Sequence, residues 1–186
     1  MKKIIVHGGA GNIPEEEKEE RKKALEKAAK KGLDQGNSLD AVEKAVNCME
    51  EFELFDAGYG GNLQMDGEVR LDASIITEDL SCGAVMGLNG VEHAVSVARK
   101  VMEKTHHVAL QGEGADDFAS KMGFETKDLR TEKNIEDWNR LKDKLDGKNY
   151  EKSLAALKEE AGVMDTVGAV ALVNGEISAA TSTGGR

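Results

Sequence analysis

Apolar and polar positions along the chain follow two rhythms, one typical of helices and one typical of strands. Helical spacing of apolar residues occurs over 14–31, 39–49, 91–104 and 115–121. Strand-like alternation or short apolar runs occur over 3–6, 69–75, 82–88 and 107–110. The run at 3–6 is expected to form a short buried strand. Helices cluster between strand segments without alternating one-for-one with them. The pattern therefore favours an α+β fold over a doubly wound parallel sheet.

Local residues set the expected ends of the first two helices. Pro14 is suited to a first helical position, and acidic residues follow it at the positive end of the helix dipole. This helix is expected to run to about Lys31, with Gly32 or Gly36 as its stop. Asn37 or Ser38 is expected to cap the second helix.

The last apolar stretch of the chain predicts a hairpin. A β-branched run opens at Thr166, turns at Asn174-Gly175 and returns through Ile177. Asn-Gly between two such runs is a strong hairpin signal, because both residues tolerate the positive φ of a type I′ turn. Thr166 would then begin one strand and Thr183 would end its partner at about the same level.

A charged region separates this hairpin from the rest of the chain. Lys and Glu dominate from Thr126 onward, where apolar residues at helical spacing predict one helix packed by Trp138. Beyond it, residues 146–165 are expected to form a solvated, mobile linker. The chain has no internal repeat, and we interpret residues 1–186 as a single domain.

Composition narrows the possible partners. Of the residues, 39% are hydrophobic and 32% are charged, and the formal net charge is −10. This charge disfavours nucleic acids and anionic membranes as partners. Cys48 and Cys82 match no metal or disulfide spacing, which favours a reducing cytoplasm. The sequence shows no signal peptide, and no apolar run has the length of about 18 residues that a membrane span needs.

Thr166 is the candidate nucleophile. A threonine hydroxyl needs an adjacent base, and the residue's own α-amine is able to serve once the chain is cut before it. Asp165 is placed to assist that cut by activating the Thr166 hydroxyl against the preceding carbonyl. The alternative interpretation is a buried hairpin without chemistry, since Asp-Thr is a common dipeptide.

Several segments carry a family resemblance, in the same order from Val6 to Gly185. They read VHGGAG, LDA followed by GAV, GEGA, and DTVGAVAL followed by AATSTGG. The chain resembles the plant-type asparaginase, isoaspartyl-peptidase and glycosylasparaginase group of N-terminal-nucleophile hydrolases. The resemblance implies a four-layer αββα sandwich. Residues 1–165 would resemble the α-subunit, and 166–186 would begin the β-subunit after cleavage between Asp165 and Thr166.

The glycine-rich segment after the first strand has two interpretations. A dinucleotide site is disfavoured because Pro14 occupies the last glycine position of the fingerprint, and because a helix follows where a strand is needed. The resemblance instead implies an autoprocessing role for His7, Gly8 and Gly9. The glycines would let the backbone approach the nucleophile, and His7 would have a structural role.

The segment 49–60 resembles the sodium loop of the same family. The implied ligands are backbone carbonyls, which suit a hard cation, at Met49, Glu50, Phe52, Phe55, Ala57 and Tyr59. Asp56 stands where the family usually has Asn, and it is able to pair with a freed Thr166 ammonium group. The alternative is an acidic glycine-rich turn without an ion. No organic cofactor is expected.

The resemblance implies hydrolysis of L-asparagine, β-aspartyl dipeptides or both. Thr166 would attack, Thr183 would hold it by a hydrogen bond, and Asp56 would complete the site. The expected partners are a small-molecule substrate and further copies, as a homo-oligomer or a pair of αβ heterodimers. In the family, residues beyond the TSTGG motif supply oxyanion donors and substrate contacts. The sandwich would therefore be truncated, and the hairpin would expose an apolar sheet edge around Val170 and Leu172. The alternative is a catalytically incompetent fragment or scaffold that needs a partner chain.

Overall fold

The computed structural model describes residues 1–11, 13–145 and 166–184. Within these ranges, one mixed sheet has the strand order β1-β5-β6-β2-β3-β4. The strands are β1 (Lys2–Gly8), β2 (Arg70–Thr77), β3 (Cys82–Asn89), β4 (Ala109–Gln111), β5 (Val167–Val173) and β6 (Glu176–Thr183). All neighbouring strands pair antiparallel except β3 and β4, which are parallel.

Five α-helices accompany this sheet in the part of the chain that the structure describes. They are α1 (Lys18–Leu33), α2 (Ser38–Glu50), α3 (Ala94–Lys104), α4 (Gly112–Lys121) and α5 (Glu132–Lys144). A short 3-10 turn, Glu15–Glu17, precedes α1. The predicted α+β class is confirmed, because the helices pack on one sheet whose strands are mostly antiparallel.

The C-terminal hairpin forms as the sequence predicts. Asn174 and Gly175 join β5 to β6 with φ values of 56° and 95°, as a type I′ turn requires. β5 lies inside the sheet, however, because β1 pairs along its whole length. The expectation of an exposed sheet edge around Val170 and Leu172 is therefore wrong.

One face of the sheet forms the core with α1, α2 and α3. Alternate residues of β5 (Val167, Ala169, Ala171 and Val173) are at most 4% exposed. Helix α2 packs on β5 and β6, α1 on β1, and α3 on β2 and β3. At Gly83 in β3, an added Cβ would clash with the Ala98 carbonyl of α3, so glycine allows this helix to lie directly on the sheet.

The other face of the sheet is partly apolar and largely uncovered by the described residues. A row of residues crosses it through paired positions on β1, β5, β6 and β2: Ile5, Val170, Ala179 and Ile76. Ile5 is 74% exposed, and Val170 is 42% exposed. The expectation that residues 3–6 form a buried strand is thus wrong for Ile5, because β1 lies at the edge of the sheet and buries only one face.

Three predicted boundaries need correction. Gly32 does not stop α1 but lies inside it, buried where a Cβ would meet Ile4 at 2.5 Å and the Ala41 carbonyl at 2.8 Å. Pro14 precedes the 3-10 turn rather than beginning the α-helix. Residues 112–114 form the first turn of α4 and not a loop. Packing against Ile4 and Ala41 outweighed the local preference at Gly32, and a tighter first turn did so after Pro14.

Two other predictions about the helices are confirmed. Asn37 caps α2 by accepting a hydrogen bond from the Asp40 amide at 2.8 Å. Helix α5 packs through Trp138, whose ring lies 3.4 Å from the position that a Gly67 Cβ would take. The predicted linker at 146–165 lies outside the described residues. No helix in the described ranges is long and apolar enough to cross a membrane.

Candidate active site

Thr166 lies immediately before β5, half-buried, and contacts the end of β1. The pairing of β1 with β5 sets His7 opposite Gly168 and Gly8 opposite Val167. The His7 imidazole Nδ1 lies 3.0 Å from the Thr166 carbonyl oxygen. His7 and Gly8 therefore lie beside Thr166 and Val167, through the histidine side chain as well as through backbone pairing.

Thr183 ends β6 at the level of Thr166. Val167 pairs with Ser182, so the next step of the register places Thr183 opposite Thr166. On its other side, Thr183 pairs with Asp72 of β2. The hairpin alone thus brings together two threonines that lie 17 positions apart in the sequence.

Asp56 lies beside the end of β6. Its backbone carbonyl accepts a hydrogen bond from the Gly184 amide at 2.8 Å. Its side-chain Oδ1 accepts one from the Asn62 amide at 2.7 Å. A Cβ at Gly184 would clash with this carboxylate, so the glycine after Thr183 makes room for Asp56. The structure therefore brings His7, Asp56, Thr166 and Thr183 to one end of the sheet, while Asp165 lies outside the described residues.

The loop that follows α2 is built largely from backbone hydrogen bonds. The carbonyls of Glu50, Phe52 and Phe55 each accept one backbone N–H at 2.8 to 3.3 Å, and the Met49 carbonyl accepts those of Glu51 and Phe52. A carbonyl oxygen has two lone pairs, so those of Glu50, Phe52 and Phe55 remain able to bind a cation. Gly58 and Gly60 adopt φ values of 57° and 97°, which coil the loop tightly against Glu50 and Glu53. This donor set fits a hard, weakly charged ion.

Glu50 has a second role that sequence reasoning missed. Its side chain is fully buried, and Oε1 accepts a hydrogen bond from the Val95 amide in the first turn of α3 at 3.1 Å. The other oxygen lies 3.5 Å from His93 Nδ1. Hydrogen bonding to this carboxylate raises the pKa of His93 above its ordinary value. A glutamate among charged neighbours carries no sequence signal of burial, so this contact was not predictable.

A polar strip on the uncovered sheet face also escaped the sequence reasoning. Ser74 Oγ and Thr181 Oγ1 lie 3.0 Å apart across β2 and β6. Next to them, Asp72 accepts a hydrogen bond from the Gly87 amide at 2.7 Å. The signal was present as alternation, because the polar residues of β2 lie between Leu71, Ala73 and Ile75. The strip leads along the sheet face to the end where Thr183 lies.

Chemically, the candidate site combines two hydroxyls, a carboxylate and an imidazole at one end of the sheet. Among the described residues, no three His, Cys, Asp or Glu side chains are grouped as a metal site would require. This set of groups is that of an acyl-transfer site of the hydroxyl-nucleophile type.

Comparison with known protein families agrees with this class of site. The asparaginase family model matches residues 1–186, and the chain belongs to that family.

Named relatives match along the whole chain. It is 48% identical over 195 residues to a plant-type L-asparaginase of Pyrococcus horikoshii and 46% identical to one of Thermococcus kodakarensis. These alignments cover 100% of this chain and 64% of each relative. An isoaspartyl peptidase/L-asparaginase of Danio rerio is 42% identical, with 98% of this chain and 59% of the relative covered. The chain thus spans somewhat less than two thirds of the length of these relatives.

Proposed function

We propose that this chain provides the nucleophile of a threonine hydrolase that cleaves L-asparagine, β-aspartyl dipeptides or both. The nucleophile is Thr166, freed by self-cleavage between Asp165 and Thr166. The observation that carries the proposal is the placement of His7, Asp56 and Thr183 at the same end of the sheet as Thr166. The names of the relatives supply the substrate class.

The chemistry follows from a hydroxyl and an amine on one residue. The free amine of Thr166 takes the proton of its own hydroxyl, and the oxygen attacks the carbonyl carbon of the substrate's side-chain amide or isopeptide bond. The C–N bond breaks, and the amine returns the proton to the leaving ammonia or amino acid. Water then hydrolyses the threonine ester, which releases aspartate and restores the hydroxyl.

Neighbouring groups prepare this attack. Thr183 lies opposite Thr166, one register step beyond the pair of Val167 and Ser182. In this proposal it holds the nucleophile by hydrogen bonding. Asp56 is fixed by Asn62 and Gly184, and its carboxylate stabilises the ammonium form of the freed amine. Orientation of this kind is a large contribution to catalysis, because a displacement of 1 Å costs up to about 10²-fold in rate.

The loop from Met49 to Tyr59 holds a sodium ion in this proposal. The ligands are the six backbone carbonyls at Met49, Glu50, Phe52, Phe55, Ala57 and Tyr59. The same segment contains Asp56, whose backbone carbonyl accepts a hydrogen bond from the Gly184 amide. An ion there would stiffen the loop that places Asp56 beside Thr183.

The uncovered sheet face suggests how the fold is completed. In this proposal, the face that carries Ile5, Val170 and Ile76 packs against a second sheet, giving the four-layer αββα sandwich. Sheet-on-sheet packing buries alternate residues of both sheets about 10 Å apart. The exposure of Val170 and Ile76 in strands inside the sheet supports this arrangement.

The test is whether the peptide bond between Asp165 and Thr166 is cleaved in the purified protein, as measured by mass spectrometry. The wild type is expected to give two fragments whose masses place the cut at Asp165–Thr166. Thr166→Ala should remain intact, and Thr166→Ser should be cut because it keeps the hydroxyl. Thr181→Ala, an exposed threonine of the same hairpin, is the matched control and should be cut like the wild type. A cut that survives in Thr166→Ala would contradict the proposal, and an intact wild type would favour the scaffold alternative.

A further inference from the structure

The β1–β5 ladder ends in an unusual way beside Thr166. His7 pairs with Gly168 and Gly8 with Val167, so the next step of the register would set Gly9 opposite Thr166. The strand stops at Gly8 instead, because Gly9 has a φ of 110° that turns the chain away. The carbonyl of Thr166 therefore faces the end of β1 with no strand residue opposite it.

The imidazole of His7 occupies this position. Its Nδ1 lies 3.0 Å from the Thr166 carbonyl oxygen and 3.4 Å from the Gly9 amide nitrogen. A carbonyl only accepts hydrogen bonds and an amide N–H only donates them. One ring nitrogen is unable to serve both at once, so the position of the imidazole proton decides which of them His7 holds.

The shorter contact decides whether Nδ1 of the imidazole carries the proton. A nitrogen–oxygen distance of 3.0 Å is that of a well-formed hydrogen bond, whereas 3.4 Å is at the long end of the range. With Nδ1 protonated, the ring donates to Thr166 and gives up only the longer contact to Gly9. With Nδ1 unprotonated, its lone pair would face the carbonyl oxygen at 3.0 Å, which is repulsive.

We propose that His7 is a positioning residue for the nucleophile: in its Nδ1–H form it donates to the Thr166 carbonyl and replaces the missing step of the sheet. The inference rests on the proposed function of Thr166 and deepens it. Thr166 immediately precedes β5, and a chain end at this residue has no preceding residue to restrain it. The bond from His7 holds Thr166 from the β1 side, while the register of β6 holds it from the Thr183 side.

The first experiment measures the rate of self-cleavage in matched variants. His7→Asn places an amide N–H near the position of Nδ1, whereas His7→Gln carries its amide farther from the backbone and His7→Ala has no donor. We expect cleavage to slow by about 10- to 100-fold in His7→Ala and His7→Gln, and to stay within a few-fold of the wild type in His7→Asn. His107→Asn, an exposed histidine remote from this site, is the control and should cleave like the wild type.

The second experiment reads the ring proton directly and needs no activity. Ring-nitrogen NMR shifts of His7, measured on the intact Thr166→Ala chain with the neutral ring, should show the proton on Nδ1. His106 and His107 in the same spectrum provide the comparison. A proton on Nε2 of His7 would overturn the inference.

The outcomes separate this inference from the proposed function. Cleavage that Thr166→Ala abolishes but His7→Ala leaves unchanged overturns the role of His7 and leaves the proposed function standing. Equal slowing in His7→Asn and His7→Ala also overturns it, because the donor would then be irrelevant. An intact wild type overturns the proposed function, and the NMR measurement alone then decides whether His7 holds Thr166.

Discussion

At the scale of single residues, Glu17 shows how one carboxylate joins distant segments. Its Oε1 accepts a hydrogen bond from Lys133 of α5 at 2.8 Å, and its Oε2 accepts two from the buried Arg21 at 3.0 and 3.1 Å. The bond from Lys133 is the main cause that lowers the pKa of Glu17 below its ordinary value, and the bond from Arg21 adds to it. The 3-10 turn before α1 is thereby tied to α5.

This shift predicts a pH dependence of stability. A carboxyl pKa that is lowered by folding adds stability above the unfolded-state pKa, and this stability is lost as the pH falls through the folded-state pKa. We therefore expect Glu17→Gln to lower the free energy of unfolding by about 1 kcal/mol at neutral pH. The difference in free energy of unfolding between Glu17→Gln and the wild type should shrink as the pH falls below about 4.

Urea unfolding of both proteins across this pH range is the measurement. Glu16→Gln, at the exposed neighbouring position, removes the same charge and serves as the control. It should change the free energy of unfolding by less than about 0.5 kcal/mol. A difference between Glu17→Gln and the wild type that persists undiminished in acid would contradict the assignment.

At the scale of elements, the loop after α2 connects several parts of the protein. Glu50 ends α2, its side chain satisfies an amide of α3, and its carbonyl accepts the Tyr59 amide at 2.8 Å. Asp56 then reaches the end of β6. An ion bound by this loop would stabilise the folded state as a whole, because its ligands exist only in that state.

We expect sodium to raise the melting temperature more than lithium or choline at equal ionic strength. Binding at about ten times Kd would add about 1.4 kcal/mol to the free energy of unfolding. Gly58→Ala should lose the sodium-specific shift, because its φ of 57° and its contact with Glu50 leave no room for a side chain. Gly36→Ala, where a Cβ meets nothing within 4 Å, should retain the shift. Equal shifts in all three salts would indicate general screening of a highly charged chain.

At the scale of the whole molecule, the two faces of the sheet differ in how far other elements cover them. One is filled by helices, while the other exposes Ile5, Val170 and Ile76 in a row that crosses four strands. A contiguous apolar face of this kind is typical of an interaction surface. The net charge of −10 opposes association but does not remove the apolar area.

We expect the 186-residue chain to associate with itself through this face. Analytical ultracentrifugation should detect dimers or larger species, and the double variant Val170→Thr with Ile76→Thr should shift them toward the monomer. Leu80→Ser is the control, because Leu80 is 75% exposed but lies in the turn between β2 and β3. A wild type that stays monomeric at all concentrations, or equal effects of the two changes, would contradict this role of the face.

The sequence by itself determined the kinds of element and the composition of the candidate site. Alternation in 69–75 and the Asn174-Gly175 turn specify strands because their signals are local, arising from backbone preference and a period of two. The same local hairpin brought Thr183 level with Thr166. Family motifs named His7 and Asp56 as members of the site, although not the contacts that each makes.

Only the tertiary structure decided which local preferences give way and which atoms meet. Gly32 remains helical because Ile4 and Ala41 pack against it, and Val170 avoids the sheet edge because β1 pairs with β5. The His7 ring meets Thr166 across 159 positions of sequence, through a ladder that no local pattern encodes. Such contacts depend on the order of strands in the sheet, which is set by the burial of one common face and not by the preferences of any single segment.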